Sequence, residues 1–227
     1  MGAWKLIKIY QDYYMEEQKT LLDPAFIYYN NMENPTPQLR EYPIIKDLFQ
    51  RHRGSNDLWG AVSSRWYEKT RIVGHEFKQW IVDNPGYDCY HIDPYPENLM
   101  HQNPWVQGEQ WHEGMVDFAN KLFPMIGLYT RCESLVLKAD DFATTGYYVG
   151  NTKFWTEWML FLDSTLVLCS QHSDLYSYLY LKGGIYNGTG IINFPFVVER
   201  LRCIFYILHR EIKVKKFPIE HPSFTDR

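Results

Sequence analysis

Hydrophobic and polar positions follow two periods along the chain, and their succession predicts alternating strands and helices. Residues 4–10 (WKLIKIY) are a β-rich run closing on Gln11 and Asp12, a first strand with a functional-edge loop, and Asp12 is placed to cap a short helix running through Leu22. Residues 23–37 (DPAFIYYNNMENPTP) are crowded with Pro and Asn and read as an excursion across the surface. A helical period begins at Pro43 with Ile44, Ile45, Leu48 and Phe49, and Gly54 lies just past its end. Residues 57–63 (DLWGAVS) predict a second strand in which Gly60 permits close backbone approach, with Arg65, Trp66 and Tyr67 in the loop beyond. A helix over 76–82 buries Phe77, Trp80 and Ile81 and stops at Asn84-Pro85-Gly86; residues 87–92 give a third strand. The strand–helix–strand spacing across 57–92 fits a right-handed parallel crossover.

Farther on, Met115, Phe118, Ala119 and Leu122 mark one face of a helix ending at Pro124. Residues 134–138 (SLVLK) and 145–149 (TGYYV) read as strands separated by Ala139-Asp140-Asp141. Residues 152–170 are apolar nearly all round and predict the most buried helix. Gly183-Gly184 and Asn187-Gly188 mark turns, the latter accounting for the Asn187-Gly-Thr189 sequon. Pro195 starts a helix with Val198, Leu201, Phe205 and Leu208 inward, and 211–217 (EIKVKKF) alternates like an edge strand. No repeat or linker interrupts the 227 residues, so one α/β domain over 1–227 is expected.

Composition narrows the partners. A net charge of −4 argues against nucleic acid, which demands surplus Lys and Arg. Cys89, Cys132, Cys169 and Cys203 are far apart, without zinc-finger spacing, and read as reduced thiols of a cytoplasmic protein. Neither an export signal nor a membrane span is legible. The 18 Tyr and 8 Trp serve mainly the core, with a surplus suited to stacking on saccharides.

The densest chemistry runs from residue 87 to 114. His91 and Asp93, two apart on a strand, share a face and suit a divalent cation, Mn²⁺ or Mg²⁺, that carries a diphosphate. The plainer alternative is an Asp93 that caps its Asp-Pro turn. Residues 107–114 (QGEQWHEG) offer Gln107, Glu109, Gln110, Trp111 and His112 as amides, a stacking ring and acid–base groups for a sugar; the alternative is a polar helix start. Asp140-Asp141 is a metal or hydroxyl site or else a solvated turn. Arg210, Lys213, Lys215 and Lys216 form a basic patch able to meet a diphosphate or touch an anionic membrane peripherally. Phosphate-loop, dinucleotide-binding, serine-elbow and H-E-x-x-H signatures are all missing.

The segments KIYQDYY (8–14), LDPAFIYYNN (22–31), REYPIIKDL (40–48), LWGAVSSRWYEKT (58–70), NPGYDCYHIDPYPE (84–97), WVQGEQWHEGM (105–115), YYVGNTKFWTEWM (147–159) and FPFVVERL (194–201), taken in order, resemble a family of small bacterial and viral glycosyltransferases of polysaccharide or lipopolysaccharide assembly. The resemblance implies a GT-A-like, Rossmann-like α/β/α sandwich with a mostly parallel sheet. It also implies a nucleotide-diphospho-sugar donor at the strand ends and a glycan or lipid-linked acceptor. On that footing Tyr10 and Gln11 meet the base, and Asp93, with His91, stands where the family's metal-binding acidic motif would be, although the sequence reads His-Ile-Asp rather than Asp-x-Asp. Residues 107–112 then face the sugar, and the stretch from Tyr148 to Asn151 lines the acceptor side. Arg65 is a candidate for the leaving diphosphate, and Glu109, His112 and Asp141 are candidates for the base of an inverting transfer. Two other classes remain open: a non-catalytic saccharide-binding domain, and a metal-dependent hydrolase built on His91, Asp93 and His112.

Overall fold

The computed structural model describes residues 6–183 and 191–219. In chain order they form β1 (Ile7–Tyr13), β2 (Ile27–Asn30), α1 (Tyr42–Arg51), β3 (Leu58–Ser63), α2 (Trp66–Thr70), α3 (Gly74–Asp83), β4 (Cys89–His91), α4 (Pro104–Glu109), α5 (Met115–Met125), β5 (Tyr148–Gly150), α6 (Thr152–Ser170), α7 (Ser173–Tyr180), α8 (Phe194–Leu208) and β6 (Val214–Lys216). The turns expected at Gly184 and at Asn187-Gly188, together with the sequon, lie outside the described residues.

One six-stranded sheet carries the order β2-β1-β3-β5-β4-β6. β1 pairs in parallel with β2 and β3, β4 pairs in parallel with β6, and β5 runs antiparallel between β3 and β4. The sheet is therefore mostly parallel, with β5 alone reversed. β3 and β4 run the same way and are joined through α2 and α3, as the parallel crossover expected over 57–92 requires, and β5, from much later in the chain, is inserted between them. Gly60 is what lets β5 come so close, because a Cβ there would lie 2.0 Å from the Tyr148 carbonyl oxygen.

Internal contacts divide the described chain into two compact units, the first comprising 6–94, 145–156 and 211–219, the second 95–144, 157–183 and 191–210. In the first, helices cover both faces of the sheet. Strand alternation sends Ile9, Leu58, Val62, Tyr90 and Val149 to one face, where they pack with Phe77 and Ile81 of α3, together with Trp66 and Phe217. On the other face Trp59 is sandwiched between His52, which follows α1, and Trp155 of α6, at ring-centroid distances of 5.3 and 3.9 Å. Such stacked pairs add about 0.5–1.5 kcal/mol each to burial.

The second unit is helical. α4 packs on α5 and α8, and α7 packs on the same two helices. Trp105, Phe118, Phe123 and Tyr178 interlock at its centre. Gly108 admits Arg200 and Met115, because a Cβ there would stand 2.3 Å from the Met115 sulfur.

Several local expectations are corrected. Asp12 lies inside β1, and the short 3-10 turn that follows (Glu16–Leu21) has Met15 at its cap position without a side-chain bond. The Pro/Asn-rich excursion contains β2, an exposed edge strand. Trp66 and Tyr67 belong to α2 rather than a loop. Residues 134–138 form no strand: the Leu137 amide finds the Gln102 carbonyl, and the alternation pairs with no sheet edge. α6 spans the expected residues but exposes Leu160 and Val167, whereas α8 buries most of its length, so α8 is the more enclosed helix. The edge strand expected over 211–217 is β6. All four cysteines are buried and in no disulfide.

Candidate functional site

The parallel strands β1, β3 and β4 end on a common edge of the sheet. Register makes the alignment definite: Ala61 and His91 both pair with Tyr148, and Ser63 pairs with Asp12. Counting two residues on from Ala61 and His91 brings Ser63 and Asp93 level, so Asp12, Ser63 and Asp93 form one row across the C-terminal edge. Neighbouring strands lie about 4.8 Å apart, which sets Asp12 and Asp93 about 14 Å from each other with Ser63 between them.

Within this row most side chains are enclosed. Asp93 is 3% exposed and His91 is fully buried. Gln11 ties the edge together: its Nε2 donates to the carbonyls of Ser63 and Ser64, each at 3.2 Å, and its Oε1 accepts from the Asp23 amide at 2.6 Å. Tyr10 is turned to the α1 side, its hydroxyl 2.8 Å from His52 Nε2. The Ser63 and Tyr147 hydroxyls lie 2.6 Å apart, and the Lys69 ammonium sits over the Tyr147 ring. Arg65 stands exposed just beyond β3 in a two-pronged ion pair with Glu68.

Asp12 is the residue that sequence reasoning missed. It is 5% exposed, and its Oδ1 is enclosed with no hydrogen-bond partner. Burial, reinforced by Glu41, pushes its pKa up to about 8, against the pull of Lys69 and Arg40. The available signal was an acid closing the first strand; the helix-like run after it made a cap the simpler assignment.

Tyr148 and Asn151 do not join this edge equally. Tyr148 is buried in β5 against Trp155. Asn151 lies beyond the opposite end of the sheet, because β5 is reversed. There its Oδ1 accepts from the Phe154 amide, capping α6, and its Nδ2 donates to Asp88, which also binds Lys153 and the Lys213 amide.

The second unit gathers the other sequence-derived residues. Gln107, within α4, accepts from Arg200 Nη2 at 2.8 Å. Glu109 accepts from the amides of Gly114 and Val116 at 2.8 and 2.7 Å, satisfying the open N-terminus of α5. His112 is buried, stacked at 3.9 Å on Phe196, and burial together with Arg200 depresses its pKa to about 4, so its ring is neutral at pH 7. Gln110 and Trp111 are exposed. Asp141 is held by Arg210 Nη1 at 2.9–3.0 Å.

With this geometry in place, comparison with solved structures is informative. The chain is similar to the apo structure of WbbM, a bifunctional glycosyltransferase, with a TM-score of 0.56 at 12% identity. The fold is glycosyltransferase-like. The match covers 97% of this chain and 46% of the WbbM chain, so this chain spans about half the length of that protein. No protein-family model and no curated protein matches the sequence. Among the described residues no three His, Cys, Asp or Glu side chains gather as a metal site, and no helix is long and apolar enough to cross a membrane.

Proposed function

We propose that the chain is a glycosyltransferase that takes a sugar from a nucleotide-diphosphate donor, bound at the C-terminal edge of β1, β3 and β4, and passes it to a glycan or lipid-linked acceptor. The observation that carries this reading is the level row of Asp12, Ser63 and Asp93 on that edge of a glycosyltransferase-like sheet. Open α/β sheets take ligands in the crevice outside the carboxyl ends of their strands.

A divalent cation would find only a partial shell here, completed by the donor itself. Asp93 would supply carboxylate oxygen and His91 imidazole, leaving the remaining positions to diphosphate oxygen and water. Bound there, Mn²⁺ or Mg²⁺ would offset negative charge on the departing diphosphate. The chain's own cations, Arg65 and Lys69, would oppose the same charge from the β3 side, and Arg65 must exchange its Glu68 partner to do so. Gln11, with both ends of its amide engaged, would act on the base by holding the strand ends rather than by direct contact.

For an inverting transfer, the acceptor hydroxyl would lose its proton to Glu109, His112 or Asp141. His112, held neutral with depressed basicity, suits hydrogen bonding better than proton abstraction. Trp111, exposed beside it in sequence, offers a ring for sugar stacking.

The direct test is a transfer assay with a panel of nucleotide-diphospho-sugars and short glycan or lipid-pyrophosphate acceptors, reading nucleoside diphosphate release. Release that requires one donor and drops at least a hundredfold in Asp93→Ala supports the reading. Glycan binding with no release from any donor would replace it with a saccharide-binding domain.

A further inference from the structure

Asp12 is costly to the fold. An aspartate near the end of β1 with one carboxyl oxygen enclosed and without a hydrogen-bond partner leaves that oxygen desolvated. Asparagine would present the same shape without an ionisable group. Groups that cost stability in this way concentrate where ligands are handled.

The surroundings specify the form in which Asp12 works. Burial, and then Glu41 ahead of α1, raise its proton affinity; a backbone hydrogen bond, Lys69 of α2 and Arg40 lower it; and Tyr29, its partner in the β1–β2 register, is a further titratable neighbour. The net result is a carboxyl that keeps its proton through neutral pH. A neutral carboxyl presents one donor and one acceptor, whereas a carboxylate only accepts. The neutral form therefore complements an uncharged ligand edge that pairs a donor with an acceptor, and it does not repel a diphosphate on the same molecule.

We propose that Asp12 binds the nucleotide donor as a protonated carboxyl, giving and receiving hydrogen bonds at the end of β1, and that donor affinity is lost when Asp12 ionises. This rests on the donor-site reading above. The row places Asp12 three strands from Asp93, so its contribution is separate from the leaving-group end.

The test is isothermal titration of UDP, GDP, CDP and ADP with Mg²⁺ across pH 6 to 9.5, on the wild-type chain, Asp12→Asn and Asp12→Ala. A required proton makes affinity flat below about pH 8 and falling up to about tenfold per unit above it. Asp12→Asn, which keeps a donor and an acceptor, should bind without that break, and Asp12→Ala should bind about tenfold more weakly at pH 6. A wild-type profile without the break, or the same break in Asp12→Asn, overturns the proposal. Binding by none of the four nucleotides to any variant removes the donor-site reading and this inference with it. The pH dependence of unfolding of the ligand-free chain reports Asp12 protonation independently, so the two failures are distinguishable.

Discussion

Asp12 lies opposite Ser63 in the parallel register of β1 and β3, its Oδ1 enclosed and unpartnered. The pKa of this carboxyl is about 8 in the fold and near 3.8 when unfolded. Between those values the folded chain holds one more proton than the unfolded chain, so stability falls as pH rises from about 4 to about 8. The slope is up to about 1.4 kcal/mol per unit. Asp12→Asn should remove that slope, raising Tm more at pH 8 than at pH 5. A mutational shift equal at the two pH values would contradict the assignment.

Gln11 holds two strand ends and the Asp23 amide with one side chain. Truncation to Ala leaves two carbonyls and an amide to find new partners and should destabilise the fold by about 2–4 kcal/mol. Urea unfolding monitored by the abundant tryptophans measures this; a loss below about 0.5 kcal/mol would show that the clasp contributes little.

Gly60 faces a backbone oxygen that cannot yield as a side chain does. Gly60→Ala should cost more than about 3 kcal/mol or prevent folding, since it must part β3 from β5. Gly54, with φ +75° and open space around it, should lose only about 1 kcal/mol as Ala, by backbone strain alone. Comparable losses at the two positions would sink this account of the strand crossing.

Glu109 tests whether a helix cap is also a base. As a cap alone, Glu109→Ala should lower stability by about 1–2 kcal/mol and leave transfer largely intact at a temperature where the variant is folded. As the base, Glu109→Gln should keep much of the stability yet lose at least a hundredfold in kcat. Measuring unfolding and transfer on both variants separates the roles.

Much of the architecture was legible locally. The apolar period of α1, α3 and α6, and the compact apolar run of β3, carry their assignments within the segment, and Pro43 and Pro195 mark helix starts where a missing amide is harmless. What was not legible depends on distant partners. β2 is four residues, three of them exposed, whose only argument for being a strand is β1 beside them. The insertion of β5 between β3 and β4 is a choice of strand order, which no local pattern encodes. For the candidate site, the spacing of His91 and Asp93 offers them as a pair, and register puts them at the C-terminal end of β4. Asp12 was not legible, because its meaning comes from burial and from Glu41 and Lys69, far from it in sequence. Glu109, Gln107 and Asp141 illustrate the converse: polar residues that look chemically available in a string have firm partners once folded.

The measurement closest to the central claim is thermal unfolding of the purified chain with nucleoside diphosphates and nucleotide-diphospho-sugars, with and without Mn²⁺ or Mg²⁺, repeated on Asp93→Ala. Selective binding to the folded state at a hundredfold excess over Kd adds about 2.7 kcal/mol and must raise Tm. A shift with one nucleotide class that Asp93→Ala abolishes is the expected result. The absence of a shift with every nucleotide, beside a shift from free glycans, would contradict a donor site at the ends of β1, β3 and β4.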